Sequence, residues 1–223
     1  MALIAEDLLL LLLDPDSGKV ASSDSAPTAL GGAVLAELAI LGTVTVEERT
    51  SRWRAPKVSV AGPAPDDRVL ADARDVVAEK ERSAQDLVAR LGKGLVKTLG
   101  DRMADRGLLE RREDRVLGLI PRTRWPAADS THEEDVRRAL TSVLVQGTTP
   151  DERTGALVAV LSAIDRAHKV VDHEGLSRRE VKKRAQEVAE GAWAAKGVRD
   201  AIQATNAAVI AAVAASAAAA GSS

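Results

Sequence analysis

Residues 3–13 read LIAEDLLLLLL, an apolar stretch that is interrupted only by Glu6 and Asp7. A helix that is apolar on every side belongs inside a packed domain rather than on its surface. We therefore expect this stretch to form the central helix of the fold. Because two acids stand where a secretory signal carries positive charge, we do not expect a signal peptide here.

The sequence on either side of this helix predicts more helices and a short hairpin. Residues 28–41 are nearly all apolar and end at Gly42, which predicts a second buried helix. β-Branched residues alternate at 43–46 and 57–60, a pattern typical of two short paired strands. Helical patterns and capping boxes predict further helices at 66–80, 83–91, 94–106, 130–145, 150–171, 177–190 and 193–215.

A second hairpin is predicted between Leu108 and Ile120, around a charged turn at Arg111–Arg115. Its later arm admits two interpretations, since it can be a buried ribbon or an apolar edge facing another subunit or lipid headgroups. The residues that would be exposed in the second case are Val116, Leu117, Leu119, Ile120 and Trp125. The sequence alone leaves both interpretations open.

Composition limits the class of protein. The chain has 223 residues, 45% of them hydrophobic, with 31 basic and 33 acidic side chains. Phe, Tyr and Cys are absent, so the core is aliphatic and neither a disulfide nor a thiolate site can form. We predict a mainly α fold: a single compact helical domain over residues 1–223, around a central apolar helix, with two short β-hairpins. The alanine-rich end at 216–223 is expected to be disordered, and residues 207–220 are too short a stretch to cross a bilayer.

The residues that carry chemistry do not form a catalytic or metal-binding pattern. The three histidines, His132, His168 and His173, include no i, i+4 pair on one helix face. Asp165 and His168 can touch at i, i+3, and we expect a solvated pair on a helix surface. Glu6 and Asp7 are expected to interact favourably with the positive end of the dipole of the first helix. The sequence therefore predicts a protein that is not an enzyme and that has no cofactor or metal.

Positive charge is concentrated between Arg90 and Arg112, a segment that contains seven basic residues and three acidic ones. Within this segment, Gly92-Lys93-Gly94 precedes a helix, where glycines would allow an anion to approach free backbone N–H groups. The alternative is that the glycines end one helix and start the next while Lys93 lies in water. The candidate anion-binding residues are Arg90, Lys93 and Lys97.

Four segments, at 3–10, 32–42, 106–109 and 204–210, resemble the Golgi phosphoprotein 3 family in their order and spacing. The composition resembles that of a bacterial, actinobacterial member. The resemblance implies a single, mostly helical, non-enzymatic domain with an exposed hydrophobic hairpin. It also implies function, because eukaryotic members bind phosphatidylinositol 4-phosphate on Golgi membranes and retain glycosyltransferases there, with the hairpin associated with self-association and membrane contact.

The resemblance also implies a headgroup pocket, which this chain keeps only in part. The family builds the pocket from one tryptophan and three arginines, and these positions fall near Ser22, Gly31, Lys93 and Val96. Only Lys93 keeps a positive charge. We therefore expect a looser site for anionic lipids, with little preference for phosphatidylinositol 4-phosphate.

The leading hypothesis is a peripheral adaptor on the inner, cytoplasmic face of an anionic phospholipid membrane, with client membrane proteins or a second copy of the chain as further partners. One alternative is a protein-interaction scaffold that does not bind lipid. Another is a winged-helix DNA-binding regulator with residues 28–41 as its recognition helix. Because that helix has Glu37 as its one charge, it cannot neutralise phosphates, and we expect no nucleic-acid partner.

Overall fold

The computed structural model describes residues 2–47, 57–116, 120–173, 175–194 and 196–220. These residues form nine α-helices and five short strands, which confirms the mainly α fold. The helices are α1 (Ile4–Leu12), α2 (Ala26–Ile40), α3 (Arg68–Glu79), α4 (Ala84–Leu91), α5 (Leu95–Asp105), α6 (Thr131–Leu144), α7 (Glu152–Ala163), α8 (Arg178–Ala189) and α9 (Lys196–Ala220). The strands are β1 (Val44–Val46), β2 (Lys57–Val60), β3 (Arg82–Ser83), β4 (Arg112–Val116) and β5 (Ile120–Arg124), and a short 3-10 helix, η1, spans Ala167–Lys169.

Helix α1 lies at the centre of the fold, as its apolar sequence predicts. Every residue of α1 except Asp7 is buried. It packs against α2, α5, α6 and α7. Burial of the five consecutive leucines at 8–12 on all sides of one helix supplies a large share of the apolar surface removed from water.

Helix α2 is the second buried helix, and 12 of its 15 residues are buried. It packs against α4, α7 and α9. A Cβ atom at Gly31 would lie 2.1 Å from the carbonyl oxygen of Val88 in α4, so the two helices touch backbone to backbone. Because α2 is enclosed by other helices, it cannot enter a DNA groove, and the winged-helix interpretation is wrong.

Three helix ends meet at one end of the bundle. Pro27, in the first turn of α2, lies against Gly92, which directly follows α4. Ser22, which precedes α2, is hydrogen-bonded to Arg166, which follows α7. Helices α4 and α7 therefore run antiparallel to α2, and their C-terminal ends lie beside the start of α2. We refer to this region as the α2 N-terminal end.

The first hairpin forms where it is predicted. Strands β1 and β2 pair antiparallel, with Val44 opposite Val60. Strand β3 adds to the other edge of β2, with Lys57 opposite Ser83. This third strand has two residues, too few to give an alternating pattern in the sequence.

The second hairpin has a different register from the predicted one. Strands β4 and β5 pair antiparallel from Arg112 opposite Arg124 to Val116 opposite Ile120. The predicted turn at Arg111–Arg115 is therefore wrong, because most of these charged residues lie in β4. That segment has no glycine, proline or asparagine to reverse the chain, and the connection runs instead between Val116 and Ile120.

Most helices of the second half follow the prediction, but the single helix predicted over 150–171 is wrong, because α7 ends at Ala163 and the chain turns there before η1. Ser177 and Glu180 form the predicted capping box of α8. Ser130 has a helical backbone and no side-chain cap bond, so the box predicted at the start of α6 is wrong. The N–H group of Thr131 there donates to the Asp129 side chain at 2.9 Å.

Helix α9 extends to Ala220, so residues 216–220 are helical rather than disordered, while 221–223 lie outside the described residues. Within the described chain, one helix, at 196–219, is long and apolar enough to cross a membrane by length and composition. Ala201, Ile202, Ala208 and Val209 of this helix are buried. Its N-terminal half therefore belongs to the packed bundle.

Candidate functional site

The predicted anion site lies at the corner between α4 and α5. Helix α4 buries Leu87, Val88 and Leu91 against the bundle and ends at Gly92. Gly94 has a φ angle of +79°, a left-handed conformation that turns the chain into α5. Lys93 is exposed between these two glycines.

The two glycines of the corner have different roles. Gly92 is buried, and a Cβ atom on it would lie 2.0 Å from the carbonyl oxygen of Pro27. This glycine permits close packing of α4 on α2, so the prediction that Gly92 exposes its backbone to an anion is wrong. Gly94, in contrast, has no heavy atom within 4 Å of the place where its Cβ would be.

The three predicted basic residues of the site are all exposed, but they are not equally available. Lys97 forms an ion pair with Asp101, one turn further along α5. That pair and the hydrogen bond from the indole of Trp125 lower the pKa of Asp101. In the described part of the chain, Arg90 and Lys93 form no ion pair. The available positive charge of the corner is therefore that of Arg90 and Lys93.

Two other arginines of the basic segment are paired with acids. The Nε atom of Arg102 lies 3.1 Å from Glu6 Oε1, and its Nη1 donates to Asp67 Oδ1 at 2.9 Å. Burial disfavours ionisation of Asp67, but the Arg102 guanidinium keeps the pKa of this carboxyl below its usual range. Arg106 Nη1 lies 3.0 Å from Glu6 Oε1. The segment therefore presents less free positive charge than its composition indicates.

Two buried acids, Glu6 of α1 and Glu37 of α2, accept hydrogen bonds from backbone N–H groups at the start of α1. Glu6 is fully buried and accepts a hydrogen bond from the Leu3 N–H group at 2.8 Å. Its negative charge therefore lies at the positive end of the α1 dipole, as expected. Glu37 accepts from the Ile4 N–H group at 2.8 Å and pairs with Arg153. Burial raises the pKa of Glu37, and Arg153 opposes this shift.

The second hairpin joins the bundle through a buried tryptophan. Trp125 is 5% exposed, its ring covers Gly100, and its Nε1 donates to Asp101 Oδ1 at 3.3 Å. The prediction that Trp125 is exposed for membrane or subunit contact is therefore wrong. Leu117 and Leu119 lie outside the described residues, and only the strand backbone is described for Val116 and Ile120.

His168 is buried, contrary to the expectation of a solvated pair with Asp165. It is 3% exposed, its Nδ1 lies 3.7 Å from Asp165 Oδ1, and neither ring nitrogen has a hydrogen-bond partner. Burial lowers the pKa of His168, and the nearby Arg178 charge adds to this shift. A cavity of about 30 Å³ adjoins the ring and is lined by Ser162, Asp165, Ala167, Lys182, Ala185 and Gln186.

This cavity has room for about two water molecules, which makes it too small for an organic ligand. In the described residues, no group of three histidine, aspartate or glutamate side chains could hold a metal ion. The α4–α5 corner is therefore the best candidate for a binding site.

A further basic residue lies at the α2 N-terminal end and was missed by sequence reasoning. Arg166 donates from Nε to the hydroxyl oxygen of Ser22 at 2.7 Å, across 144 residues of sequence. No local pattern connects positions this far apart. Position 31, where the resemblance puts a pocket arginine, is closed by the contact of α2 with α4.

The comparison with known families covers nearly the whole fold. The family model for Golgi phosphoprotein 3 (GPP34) matches residues 4–205. This range runs from α1 into α9 and includes both hairpins and the α4–α5 corner. No curated protein matches the chain. On the extent of the family match, the chain belongs to the Golgi phosphoprotein 3 (GPP34) family.

Proposed function

We propose that this protein is a peripheral membrane adaptor that binds anionic phospholipid headgroups through the α4–α5 corner. The observation that carries the proposal is the pair Arg90 and Lys93, two exposed cations without an ion-pair partner in the described chain. Around them, most charged side chains are neutralised, as the pairs of Lys97, Arg102 and Arg106 illustrate. Family membership supports a non-enzymatic, membrane-associated function of this kind.

The expected attachment is weak and salt-sensitive. A basic residue near an anionic surface contributes about 1 kcal/mol, and this attraction declines within a Debye length. Two such residues give about 2 kcal/mol, so stable attachment needs a second contribution. We assign that contribution to the apolar residues of the second hairpin, namely Val116, Leu117, Leu119 and Ile120.

Headgroup specificity is expected to be low. Ser22 and Gly31 occupy two of the positions that the family resemblance assigns to the phosphatidylinositol 4-phosphate pocket, and neither is charged or aromatic. The proposed ligand is therefore an anionic phospholipid surface on the cytoplasmic side of the membrane. Client membrane proteins, and a second copy of the chain bound through the hairpin, are the further proposed partners.

Vesicle flotation with the purified protein tests this proposal. We expect binding to phosphatidylcholine vesicles that contain phosphatidylglycerol, no binding to phosphatidylcholine alone, and a steep loss of binding as salt increases. Phosphatidylinositol 4-phosphate at equal surface charge should give similar binding. Absence of binding to every anionic vesicle at low salt would overturn the proposal and favour a protein-interaction scaffold.

A further inference from the structure

The later part of α9 exposes apolar side chains without a charged residue among them. The sequence has no Asp, Glu, Lys or Arg after Asp200. Ile210 is 49% exposed, and residues 214–219 are all exposed. A helix on the surface of a soluble domain normally carries polar residues on its outward face. Residues 210–219, which we call the α9 end, therefore have the composition of a covered segment, although the described chain does not cover them.

Helix α9 runs towards the α2 N-terminal end. Because α7 is antiparallel to α2, Gly155 in the first turn of α7 lies beside the C-terminal half of α2. The Trp193 ring, just before α9, covers this glycine. Further along α9, Cγ2 of Val209 lies 2.6 Å from where a Cβ atom on Gly32 would be, in the N-terminal half of α2. Helix α9 is therefore antiparallel to α2, and the α9 end points to the same end of the bundle as the α4–α5 corner.

Two adjacent glycines of α2 set the level of the α9 end relative to this corner. Gly31 lies against the last turn of α4, and Gly32 lies against Val209. Helices α4 and α9 both run antiparallel to α2, and they pack on each other. Since a helix rises about 1.5 Å per residue, Lys93 is level with a point about four residues beyond Val209. Residues 214–219 then extend roughly 9 Å past Lys93, and complete exposure begins at the same point.

The charges beside the α9 end favour a membrane over a second copy of the chain. Arg90 and Lys93 are exposed on the neighbouring corner and form no ion pair in the described residues. A symmetric dimer through the α9 end would join the same patch of both copies and bring their like charges together. In an anionic membrane, by contrast, headgroups lie beside the two cations while the acyl chains surround the apolar side chains.

We propose that the α9 end inserts into the acyl layer of the anionic membrane that the α4–α5 corner binds, an inference that rests on the proposed function. Its reach of roughly 9 Å past the corner is less than the thickness of one leaflet, so it enters the membrane without crossing it. Helical hydrogen bonds satisfy the backbone in lipid. Ser216, the polar side chain of the segment, donates to the Val213 carbonyl oxygen at 2.8 Å. The segment lies after residues 4–205, which the family model matches.

A fluorescent label tests the insertion directly, because the chain has no cysteine of its own. Ala217→Cys in the α9 end and Ala207→Cys, its control on the packed part of α9, each carry an environment-sensitive dye at an exposed position. On phosphatidylcholine vesicles containing phosphatidylglycerol at low salt, only the dye at 217 should shift to shorter wavelength. Lipids with a nitroxide on the acyl chain should quench it at least about threefold more than the dye at 207. Unshifted emission at 217 while the protein floats with the vesicles would overturn the inference and leave the proposed function intact.

Loss of apolar surface without a change in charge gives a second measurement. Ala214→Gln/Ala217→Gln should weaken flotation on the same vesicles by at least about fivefold. Ala78→Gln/Ala207→Gln, at exposed positions of α3 and α9, should weaken it by less than about twofold. Glutamine is a good helix former and all four positions are exposed, so both proteins should fold. Equal binding by the two double variants would contradict insertion of the α9 end.

Sedimentation without vesicles tests the second copy as the alternative occupant. The parent and Ala214→Gln/Ala217→Gln should have the same oligomeric state, with the dye at 217 in water. A parent dimer that these two substitutions dissociate would overturn the inference in favour of self-association. Failure of the parent protein to bind any anionic vesicle would overturn both the inference and the function on which it rests.

Discussion

The carbonyl oxygen of Pro27 occupies the space next to Gly92, at 2.0 Å from where a Cβ atom on that glycine would lie. Helices α2 and α4 therefore meet through their backbones, and Lys93 is fixed directly beside this contact. Gly92→Ala should lower the free energy of unfolding by about 1–3 kcal/mol, because the added methyl group separates the two helices. Thermal or urea unfolding measures the change.

Gly197→Ala is the control for this substitution. A Cβ atom at Gly197, near the start of α9, would meet nothing within 4 Å. Alanine is favoured over glycine in a helix, so this variant should be as stable as the parent or up to about 1 kcal/mol more stable. A Gly92→Ala protein as stable as Gly197→Ala would show that α2 and α4 do not pack this closely.

Removal of the buried carboxylate at position 37 should destabilise the fold. Glu37→Ala leaves the Ile4 N–H group and the Arg153 guanidinium without their partner, and breaking such a buried pair costs about 3–5 kcal/mol. Glu187→Ala, on the exposed face of α8, should change stability by less than about 0.5 kcal/mol. Chemical denaturation of both variants measures the difference, and similar small losses would refute the buried network at α1.

The sequence predicts these parts of the molecule to different degrees, for physical reasons. Helices α1 and α2 are readily predicted because burial on all sides requires apolar residues on all sides. The partners of Arg102 and Arg106 cannot be predicted, since Glu6 lies about a hundred residues earlier in the chain. The same holds for Ser22 and Arg166, which tertiary packing alone brings together.

Other predictions were wrong because the neighbouring residues in the sequence did not indicate that the side chain is buried. Trp125, among arginines and prolines, has the sequence context of an interfacial residue, but its ring is needed to cover Gly100. His168 has charged neighbours in sequence, and yet the packing of η1 against α7 and α8 encloses it. In both cases the deciding contact comes from a different element.

Stability should depend on pH through His168. Because burial lowers its pKa below the ordinary value of 6.5, the folded state favours the neutral imidazole. Its contribution to stability is then complete above pH 6.5 and is lost as the pH falls from 6.5 through the folded-state pKa. Urea unfolding of the parent should show this decline.

His168→Leu is the matched control for this titration, because leucine fills the site without binding a proton. The difference in unfolding free energy between the parent and His168→Leu should change with pH below 6.5 and be constant above it. A difference that does not vary with pH below 6.5 would mean that the imidazole is solvated in the folded protein.

The second hairpin should be dispensable for folding. Replacing residues 113–123 by Asn-Gly keeps Arg112 opposite Arg124 and leaves Trp125 in the core. We expect a cooperative melt near the parent temperature together with weaker vesicle binding, since the apolar contribution is removed. An unfolded product would place the hairpin in the core, and unchanged vesicle binding by a folded product would remove it from the membrane contact.

The central claim, that the α4–α5 corner binds an anionic membrane, is tested most directly by charge reversal at that corner. Flotation on phosphatidylglycerol vesicles at low salt compares Arg90→Glu/Lys93→Glu with Arg179→Glu/Lys183→Glu, a pair of the same charge change on exposed positions of α8. We predict that the corner variant loses binding by at least about thirtyfold while the α8 variant loses far less, with both proteins folded. Equal losses in the two variants, or parental binding by the corner variant, would contradict the account.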